Sequence, residues 1–289
     1  MSPAAPDDIL IAIEGVSFAY PGRVTAMPLA LTGISLRIRH GEYVALVGHN
    51  GSGKSTLARL LNGLLLPTVG RVLVAGLDTR QPGARRRIRE RVGMIFSDPD
   101  TQIVATLVED DVAWGLAARG WPRAKIAERV DAALAAVGLA ALRGRPPHDL
   151  SGGQLQRLAI AGVLALAPEC IVADEPTALL DPLARAEMVA LLADLNRTRG
   201  LTVVHVTHLL EETAHADRVV VLEGGRIALE GTPRAVLRDL DRLRSLRLVV
   251  PELAELGERL RALGVDVPAD ALSPEAMAGA LARAEEAAR

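Results

Sequence analysis

Nine residues in the first third of the chain, GHNGSGKST (48–56), combine glycines, a lysine and hydroxyl side chains at a spacing suited to phosphate binding. They satisfy the pattern G-x-x-x-x-G-K-[S/T], whose glycines let backbone N–H groups converge on phosphate oxygens. An apolar strand precedes them and a helix follows, so the helix N-terminus adds its dipole. Lys54 is expected to reach the β- and γ-phosphates of a nucleotide, and Ser55 to ligate Mg²⁺.

The whole loop is expected to surround the phosphate chain. A chance glycine-rich turn is the alternative, and the strand before the motif and the helix after it argue against that explanation. The residues predicted to contact the nucleotide here are Gly48, Asn50, Gly51, Ser52, Gly53, Lys54, Ser55 and Thr56.

A second apolar strand, CIVAD (170–174), ends in two carboxylates, Asp174 and Glu175. At this position Asp174 can hold Mg²⁺ through water, and Glu175 can orient and partly deprotonate an attacking water. An acidic pair at a strand end is more often a solvated turn. Beside a phosphate loop, however, the pair indicates the second half of a nucleotide-hydrolysing site.

The segment LSGGQLQR (150–157) places a serine and two glycines before another apolar helix. This is a second helix N-terminus able to bind an anion, and one phosphate chain does not need two from the same site. An ordinary N-cap with adjacent glycines is the alternative. The octapeptide matches the signature of ATP-binding-cassette (ABC) ATPases, and the chain resembles that family over nearly all of residues 9–235.

The resemblance implies how two such chains share two ATP molecules. In the family, two cassettes pair head to tail, and each ATP lies between the phosphate loop of one and the signature of the other. Ser151, Gly152, Gly153 and Gln154 would therefore serve the ATP of the partner.

Three single residues gain roles from the same resemblance. Tyr20 matches the aromatic that stacks on adenine, Asp181 in TALLDP matches the D-loop, and His208 in VTH matches the switch histidine near the γ-phosphate. His205, on the same strand, is expected to be structural. The residues predicted to carry catalysis are thus Glu175, His208 and Lys54.

The expected fold is α/β: an ABC-type P-loop NTPase cassette with a mainly parallel core sheet and an antiparallel subdomain. A helical subdomain is inserted at about 100–165, where the pattern becomes helical. We expect a cassette over residues 1–235 and a C-terminal helical extension over 236–289. In the extension, leucines spaced 3, 4 and 3 apart predict an amphipathic helix, with a last helix capped by Ser273; the leucines are Leu253, Leu256, Leu260 and Leu263.

Segments such as DPDTQIVATLVEDDVAWG and ADRVVVLEGGRIALEGTPR, together with the tail, look like the ATPases of energy-coupling factor (ECF) importers. The resemblance implies a peripheral ATPase on the cytoplasmic face of the membrane. It would bind a transmembrane coupling subunit, and a separate membrane subunit would capture a vitamin or a transition-metal ion. A second ATPase, identical or paralogous, would pair with it partly through the C-terminal helices. Packing of those helices on their own cassette is the alternative.

The helix beginning at Val108 is where that family meets the membrane subunit. Its acidic residues Glu109, Asp110 and Asp111 could pair with basic residues there. A solvated helix face is the simpler explanation of such a run.

The composition of the chain bears on the other functional classes that it could belong to. The formal net charge is -2, so no global basic field favours nucleic acid, and no nucleic-acid partner is expected. A soluble ABC ATPase acting on nucleic acid or ribosomes remains an alternative, although no long insertion supports it. The ATPase of a conventional ABC transporter is the nearer one. The single cysteine, Cys170, indicates a small buried hydrophobe in a reducing compartment, and the N-terminus shows no signal-peptide pattern.

One position departs from the family pattern. After the strand VGMIF, the family carries a glutamine that completes the Mg²⁺ shell and orients the water, and this chain has Ser97. A hydroxyl reaches about two bonds less far than that amide. Gln102 is not an obvious replacement, and Asp98 would bring negative charge toward phosphates. Hydrolysis could be slowed, transferred to a paralogous partner, or hardly changed; we favour a slowed but active site.

Overall fold

The structure, a computed structural model, describes residues 8–21 and 29–287. Ten strands occur in this part of the chain, and together they form two sheets. The strands are β1 (Ile9–Phe18), β2 (Leu31–Arg39), β3 (Tyr43–Val47), β4 (Val69–Val74), β5 (Leu77–Asp78), β6 (Val92–Ile95), β7 (Cys170–Asp174), β8 (Thr202–Thr207), β9 (Arg218–Glu223) and β10 (Arg226–Gly231).

The same ranges hold ten α-helices, several with short 3₁₀ turns between them. The helices are α1 (Lys54–Leu61), α2 (Ala84–Arg91), α3 (Val108–Ala117), α4 (Arg123–Ala136), α5 (Gly152–Ala165), α6 (Pro182–Arg199), α7 (Pro233–Val236), α8 (Leu240–Ser245), α9 (Glu252–Ala262) and α10 (Pro274–Ala287). No helix within the described ranges is both long and apolar enough to cross a bilayer.

The larger sheet has the strand order β10-β9-β3-β8-β7-β6. Its strands from β9 to β6 pair in parallel, and β10 adds an antiparallel edge. The smaller sheet, β2-β1-β4-β5, is antiparallel throughout. The predicted fold class is confirmed. Residues 1–7, which carry most of the N-terminal stretch inspected for a signal peptide, lie outside the described part.

Two apolar clusters cover the two faces of the larger sheet. One holds α1 and the antiparallel sheet, and the other holds α3 to α6 with the leucines of α8. Because β3 and β7 are buried on both faces, they are continuous apolar runs rather than alternating ones. Cys170 is fully buried at the start of β7, and burial raises the pKa of its thiol, as suits a packing residue.

The leucine spacing in the C-terminal extension predicts a helix that buries a face of leucines. In the structure, helix α9 does not bury all of that face. Ala254 and Gly257 are its buried residues. Leu256 and Leu263 are 42% and 80% exposed, whereas Leu253 packs with the small cluster around α10. The helix therefore packs on its own chain through small residues together with Leu253 and Leu260, and leaves Leu256 and the following Leu263 exposed.

The turn between β9 and β10 packs against the phosphate loop. Gly225 donates its N–H to Ser52 O at 3.1 Å and accepts from Thr32 N at 2.8 Å. It has φ +75°, and a Cβ there would lie 2.6 Å from Ala30 O. Its neighbour Gly224 also has positive φ, at +52°, but faces open space.

These neighbours make a matched pair of substitutions. Gly224→Ala is expected to cost about 1 kcal/mol of unfolding free energy through its left-handed backbone alone. Gly225→Ala adds a clash with a backbone oxygen and should cost about 2 kcal/mol more. Urea denaturation of both variants beside the wild type measures the difference. Equal losses at the two positions would contradict the close packing of this turn.

Candidate active site

The phosphate loop lies between β3 and α1. Its last glycine, Gly53, has φ +104° and is packed so closely that a Cβ would lie 2.7 Å from Ala30 O. Ser52 is fully buried, and its N–H bonds to His49 O at 3.1 Å. Packing from the start of β2 and from the β9–β10 turn thus supports the curled shape of the loop.

Lys54 is 4% exposed and folds back along the loop. Its Nζ donates to Gly48 O at 2.7 Å and to His49 O at 3.2 Å, and lies 3.5 Å from Glu175 Oε1. Burial lowers the pKa of the Lys54 ammonium, and Glu175 opposes that shift. The ammonium is therefore anchored by carbonyl groups of the loop that it serves.

Ser55 and Asp174 form the hydroxyl–carboxylate pair expected of a magnesium site. Ser55 Oγ donates to Asp174 Oδ1 at 2.9 Å, and Asp174 is only 5% exposed. Burial raises the pKa of this carboxyl, and the Ser55 hydrogen bond partly opposes the shift. Two hard oxygens beside a phosphate loop fit Mg²⁺, which keeps several waters and takes its other ligands from phosphates.

Glu175 and His208 face each other beside Lys54. Glu175 Oε2 lies 3.4 Å from His208 Nδ1. Glu175 has φ +51°, a left-handed conformation that a non-glycine residue adopts only when its surroundings impose it. Its N–H bonds to Val206 O at 2.9 Å, so the adjacent strand β8 helps to hold it.

Tyr20 is half-exposed beside the helix that follows the loop. Its hydroxyl lies 3.0 Å from Thr56 Oγ1, and its ring meets Phe18 edge to face with centroids 4.9 Å apart. These two contacts place the ring at the side of the phosphate loop. His205, in contrast, is fully buried, as expected of a structural residue.

The signature residues lie apart from this cluster. Ser151 caps α5 and forms a reciprocal capping box with Gln154, with Gly152 and Gly153 in the first turn. Asp181 caps α6 by accepting from Ala184 N at 2.9 Å. No hydrogen bond or ion pair in the described ranges joins these residues to the phosphate loop. One chain therefore assembles Lys54, Asp174, Glu175, His208 and Tyr20 but leaves the signature facing elsewhere.

Ser97 is exposed, and its hydroxyl has no hydrogen-bond partner among the described residues. Gln102 does not replace the missing amide, because Oε1 accepts from Phe96 N at 2.7 Å and Nε2 donates to Met94 O. Gln156 donates to Phe96 O at 3.1 Å. Asp98 caps the next turn.

Sequence reasoning did not predict that Gln102 and Gln156 hold the backbone before Ser97. A polar residue at a buried position of the apolar helix α5 is the signal that points to Gln156.

The phosphate loop after β3 and the acidic end of β7 lie at the same edge of the parallel sheet, with β8 between them. A phosphate loop with such an acidic strand end beside it defines a P-loop nucleotide hydrolase. Comparison with known proteins narrows the class. The family model described as ABC transporter matches residues 31–178. An energy-coupling factor transporter ATP-binding protein EcfA1 of Symbiobacterium thermophilum is 54% identical over 276 residues, 94% of this chain and 96% of the relative. An EcfA of Methanosarcina acetivorans is 46% identical over 259 residues, 90% and 92% of the two chains.

Solved structures agree. The cbiO1 structure of Clostridium perfringens, described as part of the ABC transporter complex cbiONQ, has TM-score 0.76 and 36% identity, covering 87% of this chain and 99% of that one. The dimeric ATP-binding cassette MJ0796 bound to ADP and Pi has TM-score 0.69 and 30% identity, covering 78% and 99%. The chain belongs to the ABC transporter ATPase family, among the energy-coupling factor ATP-binding proteins, and it is an ATP-binding ATPase.

The buried Asp174 carboxylate yields a prediction about stability. Because its pKa is raised in the folded state, ionisation of Asp174 makes the folded protein less stable as pH rises through that pKa. Asp174→Asn removes this penalty. Without nucleotide, the variant should melt at a higher temperature than the wild type at about pH 8, and the gain should vanish as the pH falls to the ordinary range of an aspartate carboxyl, about pH 4.

Thermal melting across this range is the measurement, with the exposed Asp266→Asn as control. A control that shows the same gain, or an Asp174→Asn variant that melts lower than the wild type at every pH, would contradict the electrostatic account.

Proposed function

We propose that this chain hydrolyses ATP to drive an ECF-type importer, in which separate transmembrane subunits take up a vitamin or a transition-metal ion. The observation that carries the proposal is the meeting of Lys54, Glu175 and His208 within 3.5 Å contacts at the ends of parallel strands. Similarity to EcfA proteins over more than nine-tenths of the chain favours this group over a conventional ABC transporter. It likewise favours transport over action on nucleic acid or ribosomes.

The phosphate loop binds ATP in this proposal. Backbone N–H groups from Gly48 to Thr56 and the start of α1 face the phosphates, and Lys54 moves its ammonium from loop carbonyls to the β- and γ-phosphates. Tyr20 stacks on adenine. Ser55 and Asp174 hold Mg²⁺, which supplies charge neutralisation for the phosphate oxygens.

Glu175 and His208 act on the reacting end of the nucleotide. Glu175 orients the attacking water and accepts its proton, while His208 holds the γ-phosphate and, through its contact with Oε2, the orientation of Glu175. Lys54 balances the negative charge between them. In this chemistry, positioning and electrostatics supply most of the rate.

A second ATPase completes the site. Ser151, Gly152, Gly153 and Gln154 of one chain would bind the ATP held by the other, with Asp181 at the junction. Support comes from their placement away from the chain's own phosphate loop, and from the dimeric state given for the MJ0796 cassette.

We further propose a division into a cassette, residues 1–235, with a helical subdomain at about 100–165, and an extension, 236–289, that holds two ATPases together. The exposed Leu256 and Leu263 of α9 support this contact.

The helical insertion is proposed to meet the membrane subunits, which would place the protein peripherally on the cytoplasmic face. Trp114 on α3 and Val104 before it are 60% and 59% exposed. Of the three acidic residues considered for this contact, Glu109 pairs with Arg143. Asp111 is buried and accepts from Val104 N and Ala105 N. Only Asp110 is left for a basic residue of the partner.

Hydrolysis by the purified chain tests the function and the role of Ser97 together. The wild type should release phosphate from Mg²⁺-ATP clearly faster than Glu175→Gln, which removes the general base. Ser97→Gln restores the longer amide and should raise turnover roughly threefold to tenfold.

A wild type equal to Glu175→Gln, with recovery in Ser97→Gln, would mean that the chain leaves hydrolysis to a paralogous partner. If no variant exceeds Glu175→Gln, even with the membrane subunits present, the proposed function is wrong.

A further inference from the structure

Glu212, which is 3% exposed, lies at the centre of a buried polar cluster. The cluster adjoins the segments that carry Glu175 and His208. Glu212 belongs to the short 3₁₀ helix Leu210–Thr213 that follows His208. Thr177 Oγ1 donates to Glu212 Oε1 at 2.7 Å. His205 Nε2 lies 3.2 Å from Oε2, and Arg185 Nε lies 3.8 Å from Oε1. One carboxyl group thus meets three other segments of the chain.

Glu212 is held as a carboxylate in spite of its burial. Burial alone would raise the pKa of Glu212, but its contacts with His205, Thr207 and Thr177 lower that pKa below its ordinary value. Behind His205, the Tyr43 hydroxyl lies 3.1 Å from Nδ1. Burial raises the pKa of the Tyr43 phenol, so Tyr43 keeps its proton.

The segments that Glu212 joins are those that carry the reacting groups. Thr177 stands two residues after Glu175, in a turn where Ala178 N bonds to Glu175 O at 3.2 Å. Glu212 itself stands four residues after His208. Arg185 lies in the first turns of α6, the helix that Asp181 caps.

Glu175 needs such support because its left-handed backbone, φ +51°, is unfavourable for a residue with a Cβ. On one side, its N–H is held by Val206. On the other side, the turn it begins is tied down by the hydrogen bond from Thr177 to Glu212. Without that bond, the turn is free to relax and to carry the Glu175 carboxylate away from His208.

We propose that Glu212 is a positioning residue for ATP hydrolysis: by accepting the Thr177 hydroxyl it fixes the turn of Glu175 against the loop of His208. The proposal rests on the roles proposed above for Glu175 and His208. It predicts a defect in turnover with little change in ATP affinity, because none of the groups that hold the phosphates contacts Glu212.

The first test compares three substitutions of buried hydroxyl groups. Thr177→Val removes the hydroxyl at nearly constant shape, and Thr177→Ser retains it. Thr202→Val is the matched control: Thr202 is fully buried at the opposite end of β8, where its Oγ1 accepts from Gly41 N at 2.9 Å. Both valine variants lose one hydrogen bond made by a buried hydroxyl. Thr177→Val should lose more stability than Thr202→Val, because it also leaves a buried carboxylate oxygen without its donor.

In Mg²⁺-dependent ATP hydrolysis, Thr177→Val should lower kcat about tenfold with KM for ATP within about twofold of the wild type. Thr177→Ser and Thr202→Val should keep kcat within about twofold. Equal kcat losses in the two valine variants, no kcat loss in Thr177→Val, or a change in KM alone would overturn the proposal. Thr177→Ala, which also removes the hydroxyl, replaces Thr177→Val if that variant does not fold; it should lower kcat, and an unchanged kcat overturns the proposal.

Hydrogen exchange separates a failure of this proposal from a failure of the proposed function. If the wild type turns over no faster than Glu175→Gln, the proposed catalytic function has failed. Hydrogen exchange then tests separately whether the Thr177–Glu212 hydrogen bond, the tether, holds the two segments together. Thr177→Val should speed amide exchange in both 175–181 and 207–213, and Thr202→Val in neither. Unchanged exchange in those two segments would overturn the tether.

Discussion

The parallel pairing of β3, β8 and β7 determines where the reacting groups of the site lie. In their register, Val47 is opposite Thr207, and Asp174 is opposite Val206. Three strands therefore end at one edge of the sheet. The phosphate loop follows the first, His208 follows the second, and the third ends in Asp174 and is followed by Glu175. A shift of one residue in this pairing would separate Glu175 from both Lys54 and His208.

The site carries buried charge before any nucleotide arrives. Burial pushes Lys54 and Asp174 toward their neutral forms, lowering the pKa of the one and raising that of the other. Local hydrogen bonds offset only part of this cost. Phosphate oxygens and a divalent ion would satisfy both groups, so ligand binding should relieve strain that folding alone leaves in place. Ser55 pairs with Asp174 at 2.9 Å, and at the reacting end Glu175 lies 3.4 Å from His208.

Much of this arrangement was predictable from the sequence because the motifs are local. The residues 48–56 bring their own strand and helix, and CIVADEP carries its carboxylates at the strand's end. What could not be predicted depends on segments far apart in the chain. Glu212 meets Thr177 across 35 residues. In α9, the periodicity of large residues pointed to a leucine face, whereas close packing against the chain selected Ala254 and Gly257.

Two chains are proposed to share each hydrolytic site, and mixing two inactive variants is the sharpest test of that sharing. Lys54→Ala disables the phosphate loop. Ser151→Asp keeps an N-cap but sets a carboxylate before the partner's phosphates. Each alone should be inactive. A mixed dimer contains one intact site, so a 1:1 mixture of the two should recover about a quarter of wild-type ATP hydrolysis. Hydrolysis that stays at the level of the separate variants would contradict the shared site.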